Sequence, residues 1–379
     1  MKRSWVSLLC FSFLAAALAQ SQPLPSVPAS RLAHIRHGIN LSEWFAQVYD
    51  SKGYTKEHFQ NWTTAADIAL IKSMGFDHVR LSVNPQPMMD AARRQNGTAE
   101  YFGYLDAAIK MILDTGLAVE LDVHPDSDFK QRLTKEDDAV ARFADFWSMV
   151  AQHYSSWDAD RVFFEILNEP EFTDAYRWYG VEAKLAAAIR RSAPAHTIIA
   201  TGARWDNDDD LVFLEPLPDP NVIYVFHFYE PHIFTHQGAT WGEYYWHWLR
   251  GLHYPSSAEN AAQVAAGVPE ARDRLRVIRY GQDHWDAARI ETEINQAADW
   301  ARQHKVSLIC NEFGVFRDYA DGHDRAAWIS DARTALERHE IGWTMWDYSG
   351  SFGVVTKTNG QAAPDELTVR ALGLKMPAK

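Results

Sequence analysis

Eight short apolar runs with strand character recur along this chain, and helical segments fill the intervals between them. The runs are Ile35–Leu41, His78–Val83, Ala118–Val123, Val162–Leu167, Thr197–Thr201, Val222–Phe228, Val306–Cys310 and Gly342–Trp346. After the first, Ala65, Ile68, Leu70 and Ile71 mark a helix that stops at Gly75; after the second, Leu105, Ile109, Ile112 and Leu113 recur at helical spacing before Gly116. Phe143, Phe146, Trp147 and Val150 follow i, i+3, i+4, i+7 after the third run, and Val181, Leu185, Ala188 and Ile189 do so after the fourth. A weaker helical stretch through Ala327, Ser330, Asp331 and Leu336 precedes the eighth. Strict alternation dictates a parallel sheet, because each helical crossover returns the chain to the same end. Eight repeats predict closure into a (β/α)8 TIM barrel of the α/β class. The rival, an open doubly wound sheet, lacks its signature, since no Gly-x-Gly-x-x-Gly turn follows the first run.

One barrel domain is expected over 34–379, with no second domain or linker. The connection from Phe228 to Val306 is too long for one crossover helix, so an elaborated excursion is predicted there, with helices within 257–303 and one over Glu291–Arg302. Residues 1–19 carry Lys2 and Arg3, an apolar stretch from Trp5 to Leu18, and Ala17-Leu18-Ala19, which reads as a secretory signal cleaved after Ala19. A lipid anchor on Cys10 is disfavoured, because Ser7-Leu8-Leu9 is a poor lipidation context and the apolar run continues past the cysteine. Residues 20–33, rich in Pro and Ser, read as a flexible leader. No later segment is long and apolar enough to cross a bilayer, so a secreted protein, periplasmic or extracellular, is expected. Loss of the signal leaves Cys310 without an internal disulfide partner, and its apolar surroundings predict a buried thiol.

A formal charge of −13 repels phosphate backbones and anionic lipid, which disfavours nucleic acid and membrane surfaces as partners. Fifteen Trp and fifteen Tyr suit stacking on neutral sugars. The polar residues at the run ends are more specific. Asn168-Glu169-Pro170 and Asn311-Glu312-Phe313-Gly314 end the fourth and seventh runs and place two carboxyl groups on what would be one rim. Cleaving an acetal needs one carboxyl group to protonate the leaving oxygen and another to attack or stabilise the oxocarbenium-like centre. Strand two is expected to end near Arg80, strand three at His124, strand six at His227 and Tyr229, and strand eight at Trp346. Taken singly, Arg80 could be a surface ion pair, His124 a core histidine and Glu169 a solvated carboxylate. Six strands with such chemistry at one rim are hard to reconcile with chance.

With Leu167-Asn168-Glu169-Pro170, His227-Phe228-Tyr229, Asn311-Glu312-Phe313-Gly314, Arg80, His124 and Trp346, the chain resembles the cellulase-like glycoside hydrolases of family 5 over roughly 35–350. The resemblance implies that Glu169 is the general acid/base and Glu312 the nucleophile of a retaining hydrolysis, with carboxyl groups about 5–5.5 Å apart. It implies that Arg80 and Tyr229 stabilise the Glu312 anion, that Asn168 bonds the sugar 2-hydroxyl, that His124 and His227 hold substrate hydroxyls and the acid/base, and that Trp346 lies beneath the sugar. It also marks Trp346–Asp347 as a place for a non-proline cis bond. Trp205, directly after strand five, is the first choice for a further stacking residue, with Trp44 and Trp241 behind it.

Asp206, Asp208 and Asp210 alternate as in a calcium loop, but Leu211 and Leu217 stand where that loop needs Gly and Glu, so a solvated loop or helix cap is expected. His227, His232 and His236 match no zinc spacing. Neither metal nor cofactor is expected. The implied activity is an exported endo-β-glycosidase acting on β-1,4-glucan, cellulase or endoglucanase in type. The alternatives are a β-mannanase or other β-glucanase with the same site and, in a different class, a non-hydrolytic carbohydrate-binding barrel.

Overall fold

The computed structural model describes residues 26–377. Eight parallel strands close a barrel in chain order: β1 (His37–Phe45), β2 (His78–Val83), β3 (Ala118–Val123), β4 (Val162–Glu165), β5 (Thr197–Thr201), β6 (Val222–Phe228), β7 (Ser307–Phe313) and β8 (Gly342–Met345). Each expected apolar run is one barrel strand. Strands such as β2, β3 and β6 are buried at every position, as a parallel sheet covered by helices on one face and filled on the other requires. The stop signals act as read: the helix Ala65–Met74 begins at a Thr64/Asp67 capping box and ends at Gly75 with φ 106°.

The lumen has two storeys. Ile35, Ala118, Phe163, Ile199, Ile223, Val225 and Ile309 form an apolar floor. Above it, strand residues that interrupt the apolar runs, among them Asn40, Arg80, Glu120, Asp122, Glu165 and Asn311, are all fully buried. The larger core lies between the outer faces of the strands and the helices.

The expectation of a flexible leader over 20–33 fails for its described part, because Ala29–Leu32 is a helix. Val27 and Leu32 pack against the apolar floor, and the Arg31 guanidinium donates to Asp160 at 2.9 Å, to the Ala195 carbonyl at 2.6 Å and to Thr197 at 2.9 Å. The segment plugs the barrel's lower end, and burying apolar surface there offsets the entropy of ordering it. The 1–19 signal reading and residues 20–25 lie outside the described residues. Among the described residues no helix is long and apolar enough to cross a membrane.

The excursion after β6 carries Ala258–Ala265 and Ala271–Gln282, followed by Ala287–His304, which returns the chain to β7. The first two pack on each other where Gly281 passes Ala261; a Cβ on Gly281 would stand 2.6 Å from that of Ala261. A hairpin, β9 (Val355–Thr358) with β10 (Gln361–Pro364), follows β8.

Candidate active site

The strands deliver their polar residues to the C-terminal mouth. Arg80 is the organising group. Fully buried in β2, its guanidinium grips Glu165 of β4 through Nε at 2.6 Å and Nη2 at 2.7 Å, and donates through Nη1 to Glu312 Oε1 at 2.6 Å and Asn40 Oδ1 at 2.9 Å. Nη2 also donates to Asn168 Oδ1 at 2.9 Å and lies 3.1 Å from Asp122. One planar fork thus fixes five residues from four other strands and their exits, which an ammonium could not do.

Glu312 reaches this fork because β7 carries a bulge. Phe226 faces Cys310 across the β6–β7 ladder, yet the next residue, His227, faces Glu312, leaving Asn311 as the extra residue. Both neighbours therefore turn inward: Asn311 donates to Glu120 at 3.0 Å and Glu312 meets Arg80. Tyr229 donates its hydroxyl to Glu312 Oε2 at 3.0 Å. Cys310, a buried free thiol, points to the other side of the strand.

Glu169 follows β4 on a turn with φ 47°, a left-handed conformation that costs a non-glycine residue about 1 kcal/mol or more. Its side chain is 29 % exposed where that of Glu312 is 5 % exposed, so Glu169 can reach a group entering from solvent while Glu312 is held from beneath. His227 stands between them, with Nδ1 at 3.1 Å from Glu169 Oε1 and 3.4 Å from Glu312 Oε2. One ligand atom from each of Glu169, His227 and Glu312 falls within 4.8 Å of the others. The oxygens of Glu312 are already occupied by Arg80 and Tyr229, a donor set that suits a held anion better than a cation ligand.

The protonation pattern follows from burial and neighbours. Burial works against the His227 cation, but Glu312, Asp206 and Glu169 outweigh it and hold the imidazole above its ordinary value. Burial likewise opposes the Glu169 anion, and the hydrogen bond and charge of His227, with Lys130 and His124, reverse the effect and push its carboxyl down. Both shifts favour the imidazolium–carboxylate form of the His227–Glu169 pair. Burial drives His124 down to about 3 and keeps it neutral, with Nδ1 at 2.9 Å from Asp122 and Nε2 at 3.2 Å from Asn168 Nδ2. The Asn168 amide is thus oriented at both ends, its oxygen toward Arg80 and its nitrogen toward His124.

Trp346 lies half-buried beside this cluster, its ring 5.7 Å from His124 and inclined by 17°, and the Trp346–Asp347 bond is cis. The cleft above has a volume of about 1500 Å³. Trp205, 56 % exposed, and Trp241, 47 % exposed, line it, as do Trp246, Arg276 and Trp285 of the excursion. Trp44 does not. It is buried beneath the rim, its indole N–H donated to the Phe59 carbonyl at 2.7 Å. Every other expected site residue, Arg80, His124, Asn168, Glu169, His227, Tyr229, Glu312, Trp346 and Trp205, is part of this one cluster or its walls.

Asp206 corrects the reading of a solvated aspartate run. It is fully buried, accepts the Glu169 backbone N–H at 2.8 Å and the Thr201 hydroxyl, and lies 3.3 Å from His227 Nε2. Asp210 instead chelates Arg204, with both contacts at 2.6 Å, and Asp208 opens a short helix. His232 and His236 stack on each other at 5.1 Å and line the cleft, His236 with its ring edge-to-face on Tyr229 at 5.1 Å. Glu120, Asp122 and Glu165 were also overlooked. Their signal was a carboxylate inside an apolar strand run, which cannot be buried without a partner.

Comparison with known proteins agrees with this geometry. The sequence profile of the family described as Cellulase (glycosyl hydrolase family 5) matches residues 42–351. Endoglucanase C of Acetivibrio thermocellus is 29% identical over 327 residues, covering 84% of this chain and 92% of that protein. Cellodextrinase A of Ruminococcus flavefaciens is 27% identical over 316 residues, covering 80% and 82%. Among solved structures, endoglucanase Cel5A of Thermotoga maritima superposes with a TM-score of 0.71 at 25% identity, covering 90% of this chain and 98% of that one. Fold, rim chemistry and family profile coincide over the same residues, and the chain belongs to glycosyl hydrolase family 5, a glycoside hydrolase on a (β/α)8 barrel.

Proposed function

We propose that this chain is an exported endo-β-glucanase that hydrolyses β-1,4-glucan with retention of configuration. The observation that carries the reading is the convergence of Glu169 and Glu312 on one nitrogen of His227, at 3.1 and 3.4 Å, with an oxygen of each within 4.8 Å of the other, a close approach that suits a retaining pair, in which one carboxylate attacks the sugar directly. Glu312, anchored by Arg80 and Tyr229, attacks the anomeric carbon. Glu169 gives its proton to the departing oxygen, and in the second half the same carboxylate takes a proton from water as the glycosyl ester is hydrolysed. Asn168 faces the sugar 2-hydroxyl and Trp346 carries the ring on its face. The glucan assignment draws on the relatives named endoglucanase and cellodextrinase, and a cleft of about 1500 Å³ with Trp205 and Trp241 on its walls suits a chain of several sugars. Export rests on Lys2, Arg3 and the apolar stretch Trp5–Leu18.

The test is a panel of soluble β-glucan, β-mannan and cello-oligosaccharides with product lengths and the anomer of the first product read by proton NMR. Wild type releases internal fragments from glucan with the β-anomer first, and Glu312→Ala releases none. An α-anomer first product overturns retention, and full activity in Glu312→Ala overturns the nucleophile. Binding without hydrolysis by wild type would favour the carbohydrate-binding alternative.

A further inference from the structure

Asp206 is a buried carboxyl group that the two-glutamate reaction does not use. Among the described residues its only ion-pair partner is His227. It sits on a turn where Trp205 has φ 50° and Asp206 itself φ 55°, two successive left-handed residues without glycine, held by the Thr201 hydroxyl and by the Glu169 N–H. A chain keeps such backbone only where the surroundings over-determine it. What they determine here is one oxygen, Oδ2, which both accepts the Glu169 backbone N–H at 2.8 Å and lies 3.3 Å from His227 Nε2. Among the described residues that buried Nε2 has no hydrogen-bond partner, so Asp206 Oδ2 stands beside a donor in need of an acceptor.

We propose that Asp206 is a positioning residue that acts through His227, holding the imidazole so that its Nδ1 proton is loaded onto Glu169 when a sugar chain fills the cleft. The inference rests on the retaining reading above. The need for it follows from the charges around the pair, which hold the His227 imidazole up and push the Glu169 carboxyl down, whereas protonation of the leaving oxygen requires Glu169 in its acid form. In the loading step the Nδ1–H bond of His227 breaks and a proton joins Glu169 Oε1, 3.1 Å away. The imidazole is left neutral with its remaining proton on Nε2, and Asp206 Oδ2 accepts that N–H, which selects this tautomer. As Glu312 bonds the anomeric carbon, the glycosidic electron pair leaves with the oxygen and takes the proton from Glu169. During hydrolysis of the ester, water gives a proton to Glu169, which returns it to His227.

The charges around the relay set its pH behaviour. His227 faces Glu312 of β7, Glu169 after β4, Asp206 after β5 and Asp122 of β3. Asp206 in turn faces Glu169 and Glu165, and Lys130 and His124 act on Glu169. Burial pushes the Asp206 carboxyl up to about 7, with His227 and the Thr201 hydroxyl opposing and Glu169 and Glu165 adding to the rise.

The experiment compares Asp206→Asn with wild type on phenyl β-cellobioside, whose leaving group needs a proton, and on 2,4-dinitrophenyl β-cellobioside, whose leaving group does not, each over pH 4–9. The loss in kcat/KM on the phenyl substrate exceeds that on the dinitrophenyl substrate by about tenfold or more. The basic limb of the phenyl profile moves to lower pH by about one unit, because the imidazolium has lost an anion. Thr201→Val, which removes only the hydroxyl donated to Asp206, shifts the limb in the same direction by less and serves if Asp206→Asn does not fold. Equal losses on both substrates with an unmoved limb, or no loss on either, overturn the proposal. An inverted product from wild type would instead overturn the retaining reading.

Discussion

Replacing Arg80 with methionine removes the charge that lets several buried carboxylates share one barrel while keeping most of the side chain's volume. Arg80, Asp122 and Glu165 have no exposed surface, and Glu312 is 5 % exposed. The guanidinium makes two bonds to Glu165, one to Glu312 and a 3.1 Å pair with Asp122, besides those to Asn40 and Asn168. Breaking a buried pair by deleting one partner costs about 3–5 kcal/mol, and with three carboxylates orphaned the upper end applies. A barrel of this length has an unfolding entropy of roughly 0.7 kcal/mol/K, so the melting temperature should fall by about 7 °C at pH 7. The deficit depends on pH with a definite sign. Burial already raises Asp122 and Glu120, and Arg80 pulls both back down. Without it they rise further, the folded state binds protons that the unfolded state has released, and stability falls as pH increases above the unfolded carboxylate range. Scanning calorimetry of wild type, Arg80→Met and Arg80→Lys at pH 5, 7 and 8 reads this directly. Arg80→Met is expected to lose least at pH 5 and most at pH 8, with Arg80→Lys between it and wild type. A melting temperature within about 1 °C of wild type at pH 7, or a deficit that does not grow with pH, would refute the reasoning.

Two further outcomes follow from single contacts. Tyr229→Phe removes the 3.0 Å hydroxyl donor to Glu312; a hydrogen bond to a charged group contributes about 1.5–3 kcal/mol, so kcat/KM on cello-oligosaccharides should drop by about 10- to 150-fold with circular dichroism unchanged, and a loss under threefold would remove Tyr229 from the reaction. His196 is buried against Phe164 with both ring nitrogens unpartnered among the described residues, and burial, with Arg31 and Arg190, lowers it to about 4. Since the folded value lies below the unfolded one, wild type loses stability as pH falls from about 6.5 toward 4; His196→Leu should melt relatively higher at pH 5 than at pH 8, and a pH-independent difference would count against a neutral buried imidazole.

The outcome at particular residues shows where sequence reading succeeds. His124, Glu169, His227, Tyr229, Glu312 and Trp346 were legible because they stand at or near the ends of apolar runs, and barrel topology sends all such ends to one mouth, whereas Arg80, expected near the end of strand two, lies in mid-strand and reaches the mouth by the length of its side chain. Trp44 was misjudged because an indole after a strand reads the same whether it turns to the cleft or under the Phe59 carbonyl. The leader over 29–32 was misjudged because Pro and Ser content does not reveal that Val27 and Leu32 meet an apolar floor contributed by distant strands.

By itself, then, the sequence determined the eight strands, the helices that separate them, and the pair Glu169 and Glu312, because hydrophobic period, stop signals and rim chemistry are local properties of the chain. Tertiary structure alone decided that β7 bulges at Asn311 to set Glu312 opposite His227, that Arg80 binds Glu165 as well as Glu312, and that Asp206 leaves a run of aspartates to lie behind His227. Those choices depend on which residues from separate strands share a buried space and must satisfy one another's charges there, and no local pattern encodes that.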